Sequence, residues 1–352
     1  MTFTALGLPG VRRDDRPSPA AQMPRHGPLL DTFGRVATDL RVSLTDRCNL
    51  RCTYCMPAEG LKWLPAEDLL SFDELTRLLR VAVTRLGVSS IRFTGGEPLL
   101  YRRLEDVVAA AAQLRPRPEI ALTTNGVGLA QRAGALVDAG LNRVNVSLDT
   151  VDPQHFAAIT RRARLDEVLA GLAAAANAGL APVKVNAVLN RPDDAVELLG
   201  YCLRFGYQLR IIEQMPLDAG HEWRRESAVG ADAVLGALRE AFDLRPDPSP
   251  RGSAPARLWL VDGGPATVGI IASVSDAFCA ACDRTRLTAD GQVRSCLFAT
   301  EETDLRGLLR SGADDADVEL AWRAAMWRKA AGHGINGPDF VQPIRPMSAI
   351  GG

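Results

Sequence analysis

Three cysteines within one short stretch limit what this chain can fold around. Cys48, Cys52 and Cys55 follow a C-x3-C-x2-C spacing, so three thiolates on one loop can converge on a single inorganic centre. Structural zinc sites are the alternative, but zinc in that role prefers four protein ligands. The spacing therefore favours a four-iron cluster with one iron left open for an outside ligand.

A second group of three cysteines lies toward the C terminus, with the spacing C-x2-C-x13-C. Cys279, Cys282 and Cys296 have no histidine near them in sequence to complete a zinc site, so a second cluster is favoured over zinc. Cys202 belongs to neither group and is predicted to be a buried thiol in an apolar helix. This usage indicates metal ligands in a reducing compartment rather than disulfides.

Length and charge set the outer limits. The chain has 352 residues and a net charge of −1, which gives no reason to expect nucleic acid or an anionic membrane as a partner. Residues 1–30 carry several prolines among arginines and are predicted to be a disordered leader without the apolar core of a signal peptide. No stretch is apolar for long enough to span a bilayer. We therefore expect a cytoplasmic protein.

Short β-rich runs alternate with helical patterns between residues 39 and 214, which predicts an α/β fold with a parallel sheet. The predicted strands are Asp39–Leu44, Ser90–Thr94, Glu119–Thr123, Arg143–Leu148, Val183–Leu189 and Leu209–Glu213. The predicted helices between them are Phe72–Leu86, Leu104–Leu114, Gly128–Ala139, Leu165–Ala178 and Ala195–Phe205, three of which end at a glycine suited to a left-handed cap.

The pattern changes near residue 217. The segment 31–216 is predicted to be the core barrel, 217–340 a C-terminal α+β domain, and 341–352 a tail. In the C-terminal domain we expect a helix over Ala231–Ala241 and strands over Arg257–Val261 and Thr267–Ile271. Small or polar residues follow five of the six core strands, and parallel barrels gather their chemistry at those ends.

The motifs around the first cysteine group resemble the radical S-adenosylmethionine (SAM) superfamily. They are Ser43-Leu44-Thr45-Asp46-Arg47 before the cysteines, Met56-Pro57 after them, and Gly95-Gly96-Glu97-Pro98 after the second strand. The resemblance implies an incomplete (β/α)6 TIM-like barrel and a [4Fe-4S] cluster whose open iron takes the amino and carboxylate groups of SAM. It further implies that the glycines expose backbone groups to SAM and that Glu97 faces its ammonium. The implied SAM-binding residues are Tyr54, Gly95, Gly96, Glu97, Ser147 and Met215, with core packing as the alternative for Met215.

Three further features narrow the resemblance. Two three-cysteine groups, Arg284-Thr285-Arg286 after the second CxxC, and the terminal Gly351-Gly352 resemble the GTP 3',8-cyclase family of molybdenum cofactor biosynthesis over residues 31–352. This implies GTP as substrate, SAM and two [4Fe-4S] clusters as cofactors, and the second cluster holding the guanine end. The implied partners are an electron donor and a downstream cyclic pyranopterin monophosphate synthase, with a homodimer left open.

The family also implies the reaction and the residues that serve it. A 5'-deoxyadenosyl radical takes hydrogen from C3' of GTP, and the C3' radical attacks C8. The implied GTP-binding residues are Arg41, Arg92, Thr123, Lys184, Arg284, Thr285 and Arg286, and the implied catalytic residues are Arg284, Arg286, Gly351 and Gly352. For any one arginine the alternative is an ordinary surface position, and for the tail it is a frayed end.

Lys184 stands apart because only Lys62 and Lys329 are also lysines among 41 basic residues. It lies in an apolar strand run with Asn186 on the same face, which predicts a side chain that points into the barrel. A buried lysine needs a partner. Phosphate and an internal Asp or Glu remain the two candidates.

Two other functional classes stay open at this point. One is a non-enzymatic iron–sulfur or zinc protein that senses iron or redox state. The other is a radical SAM enzyme that acts on a peptide. SAM cleavage separates the first class from an enzyme, and incubation with GTP or with peptides separates the second.

Overall fold

Six parallel strands that alternate with helices form the centre of the molecule. The computed structural model describes residues 22–338 and 340–351. The six strands are β1 (Asp39–Ser43), β2 (Ser90–Thr94), β3 (Glu119–Thr124), β4 (Arg143–Ser147), β5 (Val183–Ala187) and β6 (Gln208–Ile212). They lie side by side in chain order, each parallel to the next. The predicted strands and their parallel arrangement are confirmed, with ends that differ by at most two residues.

Helices connect these strands. They are α1 (Phe72–Thr84), α2 (Leu104–Ala112), α3 (Leu129–Asp138), α4 (Pro153–Thr160), α5 (Leu165–Asn177) and α6 (Asp194–Phe205). Sequence patterns had predicted all of these except α4. Its start is marked by Asp152, whose side chain accepts a hydrogen bond from the backbone of His155, and by Pro153 in the first turn. That start signal precedes only eight helical residues, so periodicity alone did not reveal it.

The rest of the chain adds elements at both edges of the same sheet. These are α7 (Ala231–Ala241), β7 (Leu244–Pro246), β8 (Arg257–Val261), β9 (Thr267–Ile271), β10 (Arg284–Leu287), β11 (Gln292–Arg294), β12 (Thr303–Asp304), α8 (Leu305–Arg310), α9 (Asp315–Trp327) and α10 (Met347–Ile350). Strand β10 pairs in parallel with β1, and β9 pairs in parallel with β6. The antiparallel strands β7 and β8 lie beyond β9, while β11 and β12 lie beyond β10.

The sheet therefore remains open, with β12 and β7 as its outermost strands in the described part of the chain. An incomplete barrel is what the sequence predicted. The C-terminal segment has the expected mixture of helices and strands, yet its described strands extend the central sheet rather than build another. The domain boundary near residue 217 stays a prediction.

The two faces of the sheet differ in polarity. On β1, Leu40 and Val42 are buried in the apolar core, whereas Arg41 between them faces the inside of the barrel. Successive side chains of a strand point to opposite faces, so one alternating sequence supplies both surfaces. Barrel interiors are usually filled by branched apolar side chains. Polar side chains facing inward leave a cavity here instead.

The N-terminal segment is packed from Gly27 onward, which corrects the prediction of a disordered leader that reaches residue 30. Leu29 is fully buried, and the guanidinium of Arg323 donates hydrogen bonds to the backbone carbonyls of Gly27 and Pro28. Leu30 forms a β-bridge with Val36. The proline-rich composition hid these anchors because the partners lie far away in sequence. Residues 1–21 of the predicted leader lie outside the described residues.

Among the described residues, none of the helices has both the length and the apolar character required to cross a lipid bilayer.

Candidate active site

A cavity of about 830 Å³ lies on the inner side of the open barrel. Its wall includes Ser90 and Glu119 at the amino ends of strands, and Gly95 and Ser147 at the carboxyl ends. Every cysteine of the two three-cysteine groups also lines it. Both predicted inorganic centres therefore face the same space.

The first cysteine group lies on a loop that is fastened to α4. The backbone N–H of Arg51 donates to Thr160 at 2.9 Å, and that of Thr53 donates to Ile159 at 3.0 Å. Cys55 closes a turn by donating to the carbonyl of Cys52 at 2.9 Å. All three thiols are free. The helix that sequence patterns missed is thus the platform on which this loop rests.

The Gly-Gly-Glu-Pro turn packs directly on the cysteine loop. A Cβ at Gly95, which has φ +151°, would lie 2.5 Å from the carbonyl oxygen of Thr45, and one at Gly96 would collide with the carbonyl oxygen of Arg47. The Gly96 N–H donates a hydrogen bond to the carbonyl oxygen of Thr45 at 2.7 Å. This N–H is therefore not free to bind SAM, which differs from the prediction. The glycines allow two backbones to approach closely. The turn thereby fixes the cysteine loop.

Glu97 is placed behind the cavity wall, which corrects its predicted position facing SAM. Its carboxylate is fully buried and accepts hydrogen bonds from the backbone of Leu99 at 2.9 Å, the hydroxyl of Thr124 at 2.7 Å and the backbone of Asn125 at 2.6 Å. Burial raises the pKa of this carboxyl to about 7 against those hydrogen bonds. Its contacts tie the turn after β2 to the end of β3 and give no support to a contact with the SAM ammonium.

The other predicted SAM-binding residues line the cavity near the first cysteine group. Tyr54 donates its hydroxyl hydrogen to Asp149 at 2.7 Å, and Ser147 and Met215 face the same space. Asp149 also accepts from the backbone of Val188 at 2.8 Å, and burial raises its pKa to about 6. Asp149 was not predicted as a site residue, although it follows the end of β4. Met215 packs against a small apolar cluster as well, so both of its proposed roles fit.

The second cysteine group lies on two loops, one after β9 and one after β11. Cys279 begins a short 3-10 helix, Cys282 directly follows it, and Cys296 follows β11. His333 lies beside this group in space: it lines the cavity with the three cysteines, and a Cβ at the preceding Gly332 would lie 3.8 Å from the sulfur of Cys279. The absence of a nearby histidine in sequence was therefore misleading. Only the fold brings residue 333 to this place.

The spacing of the two cysteine groups bears on what each could hold. In the described part of the chain, no three His, Cys, Asp or Glu side chains converge closely enough to hold one metal ion. Cysteines around a four-iron cube bind different irons and stand further apart than ligands of one zinc ion. Each group also receives hydrogen bonds at sulfur, from Asn125 to Cys48 at 3.8 Å and from Lys329 to Cys282 at 3.4 Å.

Basic side chains dominate the rest of the wall. Those that face the cavity from described strands are Arg41, Arg92, Arg143, Lys184, Arg210, Arg284 and Arg286. Sequence reasoning predicted five of them and missed Arg143 and Arg210. Strand alternation carried the missing signal, because Arg143 lies four residues before Ser147 on β4 and Arg210 is in register with Asn186.

Three acids offset part of this charge. Glu119 accepts two hydrogen bonds from Arg143 at 2.7 and 2.9 Å, Asp39 lies 3.7 Å from Arg41, and Asp283 lies 3.9 Å from Arg284. The Nε atoms of Arg41, Arg92, Arg210 and Arg284 are buried without a hydrogen-bond partner among the described residues. Buried cations without enough acids are costly. The wall is therefore suited to an anion that carries several charges.

Burial and mutual repulsion lower the pKa values along this wall. The pKa of Arg92 falls well below its usual range, first through burial and then through the charge of Arg41. The pKa of Arg210 falls to about 10 and that of Arg286 to about 9 for the same kinds of reason. Arginine side chains stay charged at neutral pH in proteins. A bound anion would relieve the repulsion that, after burial, contributes to these lowered pKa values.

Lys184 faces the cavity as predicted, together with Asn186. Burial and then repulsion from Arg210, Arg143 and Arg92 lower its pKa to about 7, with Glu119 acting in the opposite direction. Within the described residues it forms no ion pair with an Asp or Glu. The internal carboxylate, one of the two candidate partners, is thus not bonded to it.

Thr285 does not reach the cavity, which corrects its predicted role in binding GTP. It lies between Arg284 and Arg286 on β10, so alternation turns its side chain to the opposite face of the sheet. There its buried hydroxyl accepts a hydrogen bond from the indole N–H of Trp322 at 3.0 Å. Thr123, in contrast, does line the cavity.

Arg284 and Arg286 have different neighbours. Arg284 donates to the sulfur of Cys282 at 3.6 Å and to the carbonyl of Ser253 at 2.7 Å. Arg286 donates to the carbonyl of Gly351 at 2.6 Å. Arg284 therefore joins the second cysteine group to the loop before β8, whereas Arg286 joins that region to the C-terminal tail.

The tail is inserted into the barrel rather than frayed. Gly351 is buried at φ +85°, and a Cβ there would lie 2.8 Å from a methyl carbon of Thr94 and 3.2 Å from Ser43. Arg345 anchors the base of the tail through two bonds to Asp290 at 3.1 and 2.7 Å. Gly352 lies outside the described residues. Its predicted catalytic role, like that of Gly351, stays a prediction.

Comparisons with known proteins agree with this geometry. Residues 42–199 match the model of the Radical SAM superfamily, and residues 207–335 match that of Molybdenum Cofactor Synthesis C. The chain is 73% identical over 360 aligned positions to the GTP 3',8-cyclase of Mycobacterium marinum (strain ATCC BAA-535 / M). It is 71% identical to the GTP 3',8-cyclase 2 of Mycobacterium tuberculosis (strain ATCC 25618 / H37Rv). Both alignments cover all of both chains.

Among solved structures, Streptococcus suis SuiB bound to S-adenosylmethionine resembles this fold. The TM-score is 0.54 at 16% identity, covering 79% of this chain and 66% of that chain. Its structure with the precursor peptide SuiA gives a TM-score of 0.51 at 15% identity and covers 86% of this chain and 67% of that one. At these identities the likeness concerns the fold alone.

The open barrel and the cysteine loop beside the Gly-Gly turn define a radical SAM enzyme, which uses SAM and an iron–sulfur cluster. Sequence identity over the full length identifies the protein more specifically than the fold does. The chain belongs to the GTP 3',8-cyclase family. The predicted superfamily, family and fold class are thereby confirmed.

Proposed function

We propose that this chain converts GTP to (8S)-3',8-cyclo-7,8-dihydroguanosine 5'-triphosphate, the first step of molybdenum cofactor biosynthesis. The observation that carries the proposal is that one cavity contains both cysteine groups and a strongly cationic wall. The family relationship supports the same substrate. A polyanion with a nucleobase at one end matches this arrangement.

SAM occupies the end of the cavity near the first cysteine group. Cys48, Cys52 and Cys55 hold a [4Fe-4S] cluster there. Tyr54 and Ser147 line the pocket beside it, and Gly95 and Gly96 let the turn lie against the cysteine loop. The contact of Tyr54 with Asp149 fixes the tyrosine ring in place. Tyr54 and Ser147 bind and orient SAM, and the two glycines fix the cysteine loop beside it.

Cys279, Cys282 and Cys296 would hold a second [4Fe-4S] cluster, which would bind the guanine end of GTP. Three cysteines again provide one ligand fewer than the cluster has irons. The position of Arg284 beside the sulfur of Cys282 couples this centre to the cationic wall. Substrate placement thus depends on both cysteine groups.

The triphosphate lies against the basic side chains of the strands. The predicted contributors are Arg41, Arg92, Lys184, Arg284 and Arg286. We add Arg210, which has no acidic partner in the described residues. Guanidinium groups bind phosphate oxygens through paired hydrogen bonds, which suits a triphosphate. Arg143 is already bonded to Glu119, so less of its charge is available to the triphosphate. Thr123 adds a hydroxyl to the same wall.

The chemistry of the reaction is a hydrogen transfer followed by ring closure. When bound, the first cluster supplies the electron that splits SAM, which yields the 5'-deoxyadenosyl radical that takes hydrogen from C3' of GTP. The C3' radical then attacks C8, and one further electron and one proton complete the dihydro product. The protein holds ribose C3' near SAM by binding GTP at its guanine end and at its triphosphate end. Arg286 and the inserted tail close the cavity around the reacting atoms C3' and C8.

The reaction requires an electron donor, and its product requires a downstream cyclic pyranopterin monophosphate synthase; we propose both as partners. The free thiols and the oxygen-sensitive clusters suit a reducing cytoplasm. A homodimer remains part of the proposal.

Product formation tests the proposed function. Anaerobically reconstituted protein should form the cyclic nucleotide from GTP with SAM and a reductant, and it should form none from ATP, which lacks the guanine group. Product is identified by mass and by its conversion to a fluorescent pterin. SAM cleavage accompanied by modification of a peptide and not of GTP would favour the peptide-modifying alternative. Absence of SAM cleavage would favour a sensor.

Lys184 gives a further prediction about pH. Its pKa of about 7 in the free protein means that it loses its proton as the pH rises above 7, whereas a bound phosphate favours the charged form. GTP binding should therefore take up a proton near pH 8 and little at pH 6, and affinity should weaken above pH 7. Calorimetry in buffers of different ionisation enthalpy measures this uptake.

Two substitutions provide the controls. Lys184→Met should lose the proton uptake and bind GTP more weakly, while Lys184→Arg should keep affinity better but show no uptake. Protonation of the nucleotide itself is common to all three proteins and cancels in the comparison. Uptake that persists unchanged in Lys184→Met would assign it to another group.

A further inference from the structure

We propose that Lys329 is a positioning residue of the second cluster, which it supplies with a buried positive charge and a hydrogen bond that raise the cluster's reduction potential. This rests on the proposed second cluster. Lys329 lies just beyond the end of α9, and its side chain is only 3% exposed. Neither the cysteine spacing nor the family motifs drew attention to it.

The contacts of Lys329 surround one cysteine. Its Nζ lies 3.4 Å from the sulfur and 3.3 Å from the carbonyl oxygen of Cys282, and 2.9 Å from the carbonyl oxygen of Arg284. An ammonium group has three donors, and all three acceptors belong to the segment that leads from the cysteine group into β10. The lysine therefore holds the backbone and the sulfur of the cluster loop together.

The charge of Lys329 needs an anion. Within the described residues it forms no ion pair with an Asp or Glu, and a buried ammonium without a counter-charge is costly. The sulfur of Cys282 is the acceptor that can carry a negative charge. A cluster at this position, with its thiolates, provides the compensation that the protein itself does not.

The residue type supports this role. The chain uses arginine for nearly all of its 41 basic residues, with Lys62 and Lys184 the other exceptions. Arginine has a planar fork that matches carboxylates and phosphates, whereas the compact ammonium of lysine can donate in three directions from one point. The three acceptors around residue 329 lie in different directions from one point, so they require the ammonium group of a lysine.

The two cysteine groups differ in their charged neighbours. Glu97 lies near Cys48, Asp149 near Cys52 and Asp218 near Cys55, with one cation, Arg51, also near Cys48. In the second group, Lys329 and Arg284 each donate a hydrogen bond to the sulfur of Cys282. Net charge and hydrogen bonds at sulfur set the reduction potential of iron–sulfur clusters. The second cluster should accordingly be easier to reduce than the first.

Substitution of Lys329 in the loaded enzyme tests the inference. Lys329→Met keeps a side chain of similar length but removes the charge and the donors. At a fixed potential, the ratio of reduced to oxidised second cluster should fall at least tenfold, equivalent to about 59 mV for one electron. Redox titration followed by electron paramagnetic resonance measures this, and added SAM should alter only the signal of the first cluster.

Three comparisons decide the outcome. Lys329→Arg keeps the charge and should shift the potential less than Lys329→Met, whether or not either variant is less stable. Arg328→Met is the matched control, because Arg328 is 52% exposed and pairs with Glu301 rather than with a cysteine. A parent protein with about eight irons and an unchanged potential in Lys329→Met, or equal shifts in both lysine variants, would overturn the role of Lys329. A parent with only about four irons would overturn the second cluster itself.

Discussion

Removing Gly351 and Gly352 should abolish cyclisation while leaving iron content and SAM cleavage without substrate near the parent level. Gly351 lies where any side chain would press on Thr94 and Ser43, and its carbonyl oxygen accepts a hydrogen bond from Arg286. Without it, Arg286 loses the partner that orients its guanidinium inside the cavity. Small misplacements of positioning groups cost roughly a hundredfold in rate. Product formation per molecule of cleaved SAM measures this loss.

The tail offers its own control. Ile344 is 94% exposed, so Ile344→Ser changes the same segment without touching the cavity and should retain activity. Gly351→Ala should behave like the deletion, because a non-glycine residue is strained at φ +85° and its Cβ meets Thr94. A truncated enzyme that forms cyclic product at the parent rate would show that the inserted tail has no catalytic part.

The second large effect concerns the cysteines. Parent protein should bind about eight irons, and Cys52→Ser and Cys282→Ser should each retain about half of them. Cys52→Ser should lose all SAM cleavage, because its cluster is the one beside the SAM pocket. Cys282→Ser should still cleave SAM without substrate but form no cyclic product. Iron analysis together with assays of 5'-deoxyadenosine and cyclic nucleotide separates the two.

Cys202 is the matched control for both variants. Its thiol is fully buried in α6 and belongs to neither group, so Cys202→Ser should keep all of the iron even if the protein becomes less stable. Zinc retained at the second group after anaerobic purification would contradict the assignment of a second cluster. So would a Cys282→Ser protein with undiminished iron.

Local sequence patterns predicted most of the long strands of the sheet. The strands of the core were visible because each carries β-rich, mainly apolar residues between turn-forming ends, and the parallel order follows from the helices between them. Strands β7, β10, β11 and β12 were not predicted. They are short, and the segment from Arg284 to Leu287 was considered only as a set of ligands. Its pairing with β1 joins residues far apart in sequence.

The candidate site could be predicted where one motif supplies several neighbouring groups. The cysteines and the glycine turn are of this kind. The family resemblance assigned Glu97 and Thr285 to ligands, but hydrogen bonding and strand alternation turn both away from the cavity. His333 and Lys329 could not be foreseen because their partners around Cys279 and Cys282 are some fifty residues away in sequence. Only the packing of the segment after α9 brings them there.

The central claim is that one cavity holds SAM and the ribose of GTP in contact. Transfer of deuterium from GTP to 5'-deoxyadenosine tests this claim most directly. With GTP deuterated at C3', the reconstituted enzyme should produce 5'-deoxyadenosine that carries one deuterium, together with a cyclic nucleotide that lacks it. GTP deuterated at another ribose carbon should give unlabelled 5'-deoxyadenosine. Unlabelled 5'-deoxyadenosine from the C3'-deuterated substrate, or label arising from a different carbon, would contradict the account.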